Sequence, residues 1–154
     1  MKTLTPGSPA PDFDLPDQGG ERRSLTSMLE RGPVVLFFYP AAMSGGCTRE
    51  VCRFRDLEAE FAAVGAQRVG ISMDGVQVQG QFARQSDVDF PLLSDADGAT
   101  AVAYGVRRRF LTPVKRVTFV IDVDQTIHEV VASEMSMDHH ADAALAALRT
   151  LARR

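Results

Sequence analysis

An apolar run, Val34-Val35-Leu36-Phe37-Phe38-Tyr39, stops at Pro40, and after a short glycine-containing loop an amphipathic segment opens at Cys47. In that segment Val51, Phe54, Leu57 and Phe61 recur at helical spacing, while Arg53, Asp56 and Glu60 fall on the other face. A buried strand running directly into a helix must have further strands beside it and further helices against its faces. The rest of the chain supplies them. Gly65 predicts a helix stop, Arg68 to Ser72 a second central strand, Val76 to Gln85 a helix and Ala99 to Tyr104 a shorter one. Val117 to Ile121 and Ile127 to Ala132 predict a hairpin around Asp122-Val123-Asp124-Gln125, and a last helix begins at about Asp138, a good N-cap residue. The alternation predicts an α/β fold, and 154 residues with 45% hydrophobic composition fit one domain, 1–154, with a substantial core.

Both cysteines belong to the loop and helix just described. A thiol at a helix N-terminus meets free amide groups and the positive end of the helix dipole, which favour negative charge on sulfur. Two cysteines are too few for a secreted disulfide framework, and a close pair in a reducing compartment points to redox chemistry or to metal. Metal is the weaker reading, because no histidine lies near the pair in sequence and a zinc site needs about four ligands. The adjacent His139 and His140 do not form a typical coordination set either, and His128 falls in a predicted strand where a structural role is ordinary. A net charge of −3 argues against a nucleic-acid surface, and the basic triplet Arg107 to Arg109 is expected to be a solvated loop. No apolar run approaches the roughly 20 residues of a membrane helix, so a cytoplasmic protein without membrane, metal or cofactor is expected.

The stretch Pro40-x-x-x-Ser44-x-x-Cys47 resembles the active-site motif of the peroxiredoxins, Pro-x-x-x-Thr/Ser-x-x-Cys. Cys52, five residues on, is similar to the bacterioferritin comigratory protein (peroxiredoxin Q) branch. Ala10-Pro11-Asp12-Phe13, Phe90-Pro91-Leu92-Leu93-Ser94-Asp95 and Arg116-Val117-Thr118-Phe119-Val120-Ile121-Asp122 fit the same family in order, so nearly the whole chain is covered. The resemblance implies a thioredoxin-like fold, a central mixed sheet flanked by helices, with an N-terminal extension from Met1 to about Gly32.

It also implies a thiol peroxidase acting on hydrogen peroxide or organic hydroperoxides. Cys47 would be the nucleophile and end as a sulfenic acid. Ser44 would set a hydroxyl beside the thiolate, and the amides of Gly46 and Cys47 would point at a peroxide oxygen. Arg116 would stabilise the thiolate with a charge that does not titrate, Pro40 would stiffen the loop, and Glu50 matches a position often polar or acidic in the family. Cys52 would resolve the sulfenic acid as an intramolecular disulfide, re-reduced by thioredoxin or a glutaredoxin-type thiol. The implied assembly is a monomer, with a weak dimer as the alternative. Helical geometry separates Cα atoms five residues apart by roughly 8.7 Å, beyond the limit of about 7 Å for a disulfide, so resolution requires the helix start to unwind. Ser44 replaces the commoner threonine and Gly45 replaces a proline usual in the branch. The readings that compete are a one-cysteine peroxidase, a peroxide sensor, and a disulfide oxidoreductase, whose usual Cys-x-x-Cys spacing is absent.

Overall fold

In the computed structural model, residues 2–153 are described; Met1 and Arg154, the ends of the expected domain, lie outside the described residues. The elements run β1 (Asp14–Pro16), β2 (Arg22–Ser24), α1 (Leu25–Leu29), β3 (Val34–Phe38), α2 (Gly45–Asp56), α3 (Glu58–Ala63) and β4 (Gln67–Ser72). They continue with α4 (Val76–Ser86), β5 (Leu92–Ser94), α5 (Ala99–Ala103), β6 (Val117–Ile121), β7 (Ile127–Ala132) and α6 (Met137–Ala152). Five strands form one sheet in the order β5-β4-β3-β6-β7, and β1 and β2 form a separate hairpin. β3 pairs in parallel with β4 and antiparallel with β6, so the sheet is mixed as expected.

β3 is apolar throughout because both faces of the sheet are covered. Its alternate residues divide between two cores. Leu36 and Phe38 pack with Phe119, Ile71, Tyr104 and α1, whereas Val35, Phe37 and Tyr39 pack with residues of α2, α4 and α6. Phe37 stacks on Phe54 of α2 with ring centroids 4.1 Å apart. Gly70 in β4 gives that cluster room: a Cβ there would sit 2.8 Å from a Leu92 methyl carbon and 3.0 Å from the Phe37 ring. α2 and α6 therefore lie side by side on one face, their outer edges linked by Arg49–Asp138 and Arg53–Asp142 ion pairs.

Several boundaries differ from the sequence expectation. α2 begins two residues before Cys47, and the amphipathic segment is two helices broken at Leu57, whose φ of −96° and ψ of 20° leave the helical region. Asp138 is not the cap of α6. Ser136 takes that position, and Asp138 lies in the first turn, where its carboxylate meets both the helix dipole and Arg49. The arginine triplet lies in a loop, as expected, with Arg109 exposed; Arg107 donates to the carbonyl of Pro113, and Arg108 pairs with Glu134. β1, β2, α1 and β5 add elements that periodicity did not reveal. Among the described residues, no helix is long and apolar enough to cross a membrane.

Candidate active site

The loop from Pro40 to Ser44 joins the end of β3 to α2, and three local features set its course. Met43 takes a left-handed φ of 64°, which turns the chain sharply ahead of the helix. Ser44 is the N-cap of α2: its Oγ accepts from the Cys47 amide at 3.3 Å and donates to the Ala41 carbonyl at 3.0 Å. Asp74, beyond β4, accepts from the Ala42 amide at 2.8 Å and from the Ser72 hydroxyl at 2.7 Å. Behind them, Gln79 of α4 donates to Ser72 and to the Leu93 carbonyl, and accepts from the Tyr39 hydroxyl. Burial holds the Tyr39 phenol well above its ordinary range, so it remains a neutral donor.

Cys47 is a free cysteine, fully buried in the third position of α2. Arg116, the residue before β6, comes to it across the sheet. Its guanidinium donates through Nη2 to Cys47 Sγ at 3.2 Å and through Nη1 to Glu50 Oε1 at 2.8 Å. Gly46 leaves space for that approach, since a Cβ on it would lie 3.3 Å from Arg116 Nη2 and 3.2 Å from Met137 Sδ. The sequence reading thus brought together four residues that do meet: Ser44, Cys47, Glu50 and Arg116. Cys52 is partly buried, free, and on the same unbroken helix as Cys47. Pro40, also partly buried, ends the apolar run as expected.

Two expectations need correction. The Ser44 hydroxyl, expected to stand beside the thiolate, is engaged by the backbone: it donates to the Ala41 carbonyl and accepts from the Cys47 amide, because an N-cap hydroxyl close to a turn carbonyl can satisfy both ends locally. The Cys47 amide is correspondingly taken by Ser44, so of the two amides expected to face peroxide it is Gly46, in the first helical turn, that has no intrahelical acceptor.

Two residues at the site were not foreseen. Glu50 Oε2 lies 3.6 Å from Nδ1 of His140, which is itself 2.8 Å from Thr118 Oγ1, while the other ring nitrogen sits 2.7 Å from the Ser133 carbonyl. Signals for both were present: His140 shares the buried stripe of α6 with Ala141, Ala144, Leu145 and Leu148, and Thr118 is the polar residue of an otherwise apolar strand. Burial pushes Glu50 up to about 8, against the pull of the Arg116 guanidinium, and burial also pushes His140 below its ordinary value. Among the described residues, no group of three or more His, Cys, Asp or Glu side chains could hold a metal ion.

These shifts have consequences for stability. Between about pH 4.5 and about 8 the folded state keeps a proton on Glu50 that the unfolded state releases, so this group costs stability progressively as pH rises. His140 acts in the opposite sense, taking up a proton more readily when unfolded and costing stability as pH falls below about 6.5. Glu50→Gln should therefore gain stability over the wild type on going from about pH 5 to about pH 8, by up to about 1.4 kcal/mol per pH unit. Urea unfolding at the two pH values checks this, and parallel stability profiles would show that Glu50 is ionised in the fold.

The chain is similar to known proteins along most of its length. The model of the AhpC/TSA family matches residues 6–130. The crystal structure of peroxidoxin BcpB from Mycobacterium tuberculosis superposes with a TM-score of 0.93 at 56% identity, covering 96% of this chain and 98% of that one. The bacterioferritin comigratory protein of Xanthomonas campestris gives a TM-score of 0.85 at 28% identity over 97% and 98% of the two chains. Peroxiredoxin Bcp of Escherichia coli K12 is 36% identical over 91% of this chain and 93% of its own length. A buried cysteine near a helix start, faced by the arginine that precedes β6, lies here beside a thioredoxin-like sheet, and the chain belongs to the AhpC/TSA family of thiol peroxidases, in its Bcp/peroxiredoxin Q branch.

Proposed function

We propose that Cys47 is the peroxidatic nucleophile and that the chain, acting as one domain, reduces hydrogen peroxide and organic hydroperoxides. The observation that carries this reading is the 3.2 Å contact from Arg116 Nη2 to Cys47 Sγ, a fixed positive charge against sulfur at the entrance of a helix. The thiolate attacks one peroxide oxygen, an S–O bond forms as the O–O bond breaks, and the leaving oxygen takes a proton. Arg116 and the Gly46 amide oppose the charge that develops on the oxygens. Ser44 holds the first turn of α2, Pro40 stiffens the approach to it, and Glu50 fixes the second arm of the guanidinium fork. The Xanthomonas campestris relative is described as reducing alkyl peroxides, which supports including organic hydroperoxides among the substrates.

Cys52 resolves the sulfenic acid in this proposal. Both thiols lie within α2, where the helical separation of roughly 8.7 Å is too long for a disulfide. Turnover then requires the first turns of α2 to open, and the left-handed Met43 and the single Asp74 link to Ala42 mark where the loop gives way. The opened disulfide is reduced by thioredoxin or a glutaredoxin-type thiol in the cytoplasm, the chain acting as a monomer.

Stopped-flow oxidation by peroxide, followed by re-reduction with thioredoxin or glutaredoxin, tests the whole cycle. Peroxide should yield a Cys47–Cys52 disulfide within one chain, with faster hydrogen exchange across roughly residues 44–56. Cys52→Ser should react once with peroxide and then stop at the sulfenic acid or proceed to over-oxidation, unless an external thiol is supplied. An intermolecular disulfide, or Cys52 found reduced throughout turnover by mass spectrometry, would replace this scheme with a one-cysteine mechanism.

A further inference from the structure

We infer that Glu50 and His140 hold one proton between them while Cys47 is a thiolate, and that this proton leaves the pair when oxidation removes the charge on sulfur. The inference rests on Cys47 being the peroxidatic cysteine. Arg116 is one cation facing two acids, the Cys47 thiol through Nη2 and the Glu50 carboxyl through Nη1. Cys47, Glu50 and His140 are all 0% exposed. With thiolate and carboxylate both ionised, the buried cluster would carry a net negative charge, which is costly away from water. One added proton restores neutrality.

The hydrogen bonds indicate where that proton resides. His140 Nε2 faces the Ser133 carbonyl, which only accepts, so Nε2 carries a hydrogen. The open question is then Nδ1. It lies 2.8 Å from Thr118 Oγ1 and 3.6 Å from Glu50 Oε2, a buried oxygen with no hydrogen-bond partner. The Thr118 hydroxyl suits either state, donating to a bare Nδ1 or accepting from a protonated one. A proton on Glu50 beside neutral His140, or on His140 beside ionised Glu50, leaves the pair with the same total charge. The raised position of Glu50 and the lowered one of His140 favour the first arrangement.

Other charges near the pair are engaged elsewhere. From the β7–α6 turn, Glu134 accepts from the Arg116 backbone amide and pairs with Arg108, its side chain 43% exposed. On α6 His139 is exposed and Asp138 pairs with Arg49 of α2; further along, Asp142 pairs with Arg53. None of these neutralises the buried cluster.

During attack, sulfur bonds to the terminal oxygen of R–O–OH, the O–O bond breaks, and RO⁻ leaves. Sulfur is oxidised by two electrons to S–OH and the peroxide is reduced by the same two. RO⁻ needs one proton to become ROH, and Arg116 has just lost the thiolate as its counter-ion. Release of the shared proton supplies that equivalent through water at the site and leaves Glu50 as the carboxylate that balances Arg116. Reduction of Cys47 back to thiolate returns a proton to the pair. His140 is thus a positioning residue, acting on sulfur through Glu50 and Arg116.

Infrared difference spectra of the Cys52→Ser protein, before and after one equivalent of hydrogen peroxide, test this directly. At neutral pH the reduced protein should show a protonated-carboxyl band that Glu50→Gln removes, and oxidation should convert it to a carboxylate band. His140→Gln, which keeps an amide donor for Ser133, should lower the pH at which the reduced protein loses that band by no more than about 0.3 unit, because the proton loses only its less occupied site. Nitrogen NMR of the His140 ring, requiring no substitution at that position, should show Nδ1 shifting between reduced and oxidised states. Absence of the carboxyl band in reduced protein, its persistence after oxidation, a titration in His140→Gln displaced upward, or an Nδ1 resonance that does not move on oxidation would each overturn the shared proton. If mass spectrometry finds Cys47 unoxidised, the peroxidase reading fails instead, while the titration of the reduced protein still decides whether Glu50 and His140 share a proton.

Discussion

Serine in place of Cys47 is expected to reduce peroxide consumption to the rate of buffer alone. The substitution removes the only group at the helix entrance able to form a sulfenic acid, and a hydroxyl at its ordinary pKa is a weak nucleophile. It should leave the fold standing, because serine is close to cysteine in size and its hydroxyl would face the Arg116 guanidinium that now meets sulfur. Peroxide assays with circular dichroism on the same sample check both halves. Turnover retained in a folded Cys47→Ser protein would move the chemistry to another residue.

Arg116→Ala should slow oxidation of Cys47 by on the order of 100-fold, the usual cost of deleting one preorganised donor aimed at developing charge. It also leaves the buried Glu50 carboxyl without its hydrogen-bond donor, which costs about 1–3 kcal/mol. Arg116→Lys separates the two effects. An ammonium keeps the charge but cannot span Sγ and Oε1 with a planar fork, so stability should largely return while oxidation stays slow. Stopped-flow rates beside denaturant unfolding decide the matter, and equal rates for the lysine variant and wild type would make the arginine a charge and nothing more.

The reach of the sequence followed the strength of its periodic signals. The run from Val34 to Phe61 carried the central strand, the loop and the thiol-bearing helix because an unbroken apolar stretch that stops at a proline is followed by apolar residues at helical spacing. The hairpin of β6 and β7 was equally plain. β5 was not, since Leu92–Ser94 is three residues long and too short for alternation to register. Nor was the break at Leu57, where the apolar spacing continues although the backbone leaves the helix. At the site, Ser44, Cys47 and Glu50 are neighbours in sequence, and Arg116 was reached only through the family resemblance. His140 and Thr118 come from elements distant in sequence, and their meeting with Glu50 depends on α6 packing beside α2.

The pairing of β3 with β6 sets Val117 opposite Phe38, which places Arg116 just past the end of the shared ladder, level with the loop that leads to Cys47. Thr118 and Val120 follow it on the same face, while Val117, Phe119 and Ile121 enter the other core. A slip of one residue between these strands would carry the arginine to the wrong side of the sheet and turn every apolar side chain of β6 out of its cluster at the same time. Because both faces of the sheet are covered, an incorrectly assembled chain would mispack two cores and lose its reactivity together, so one register decides both the packing and the contact of Arg116 with sulfur.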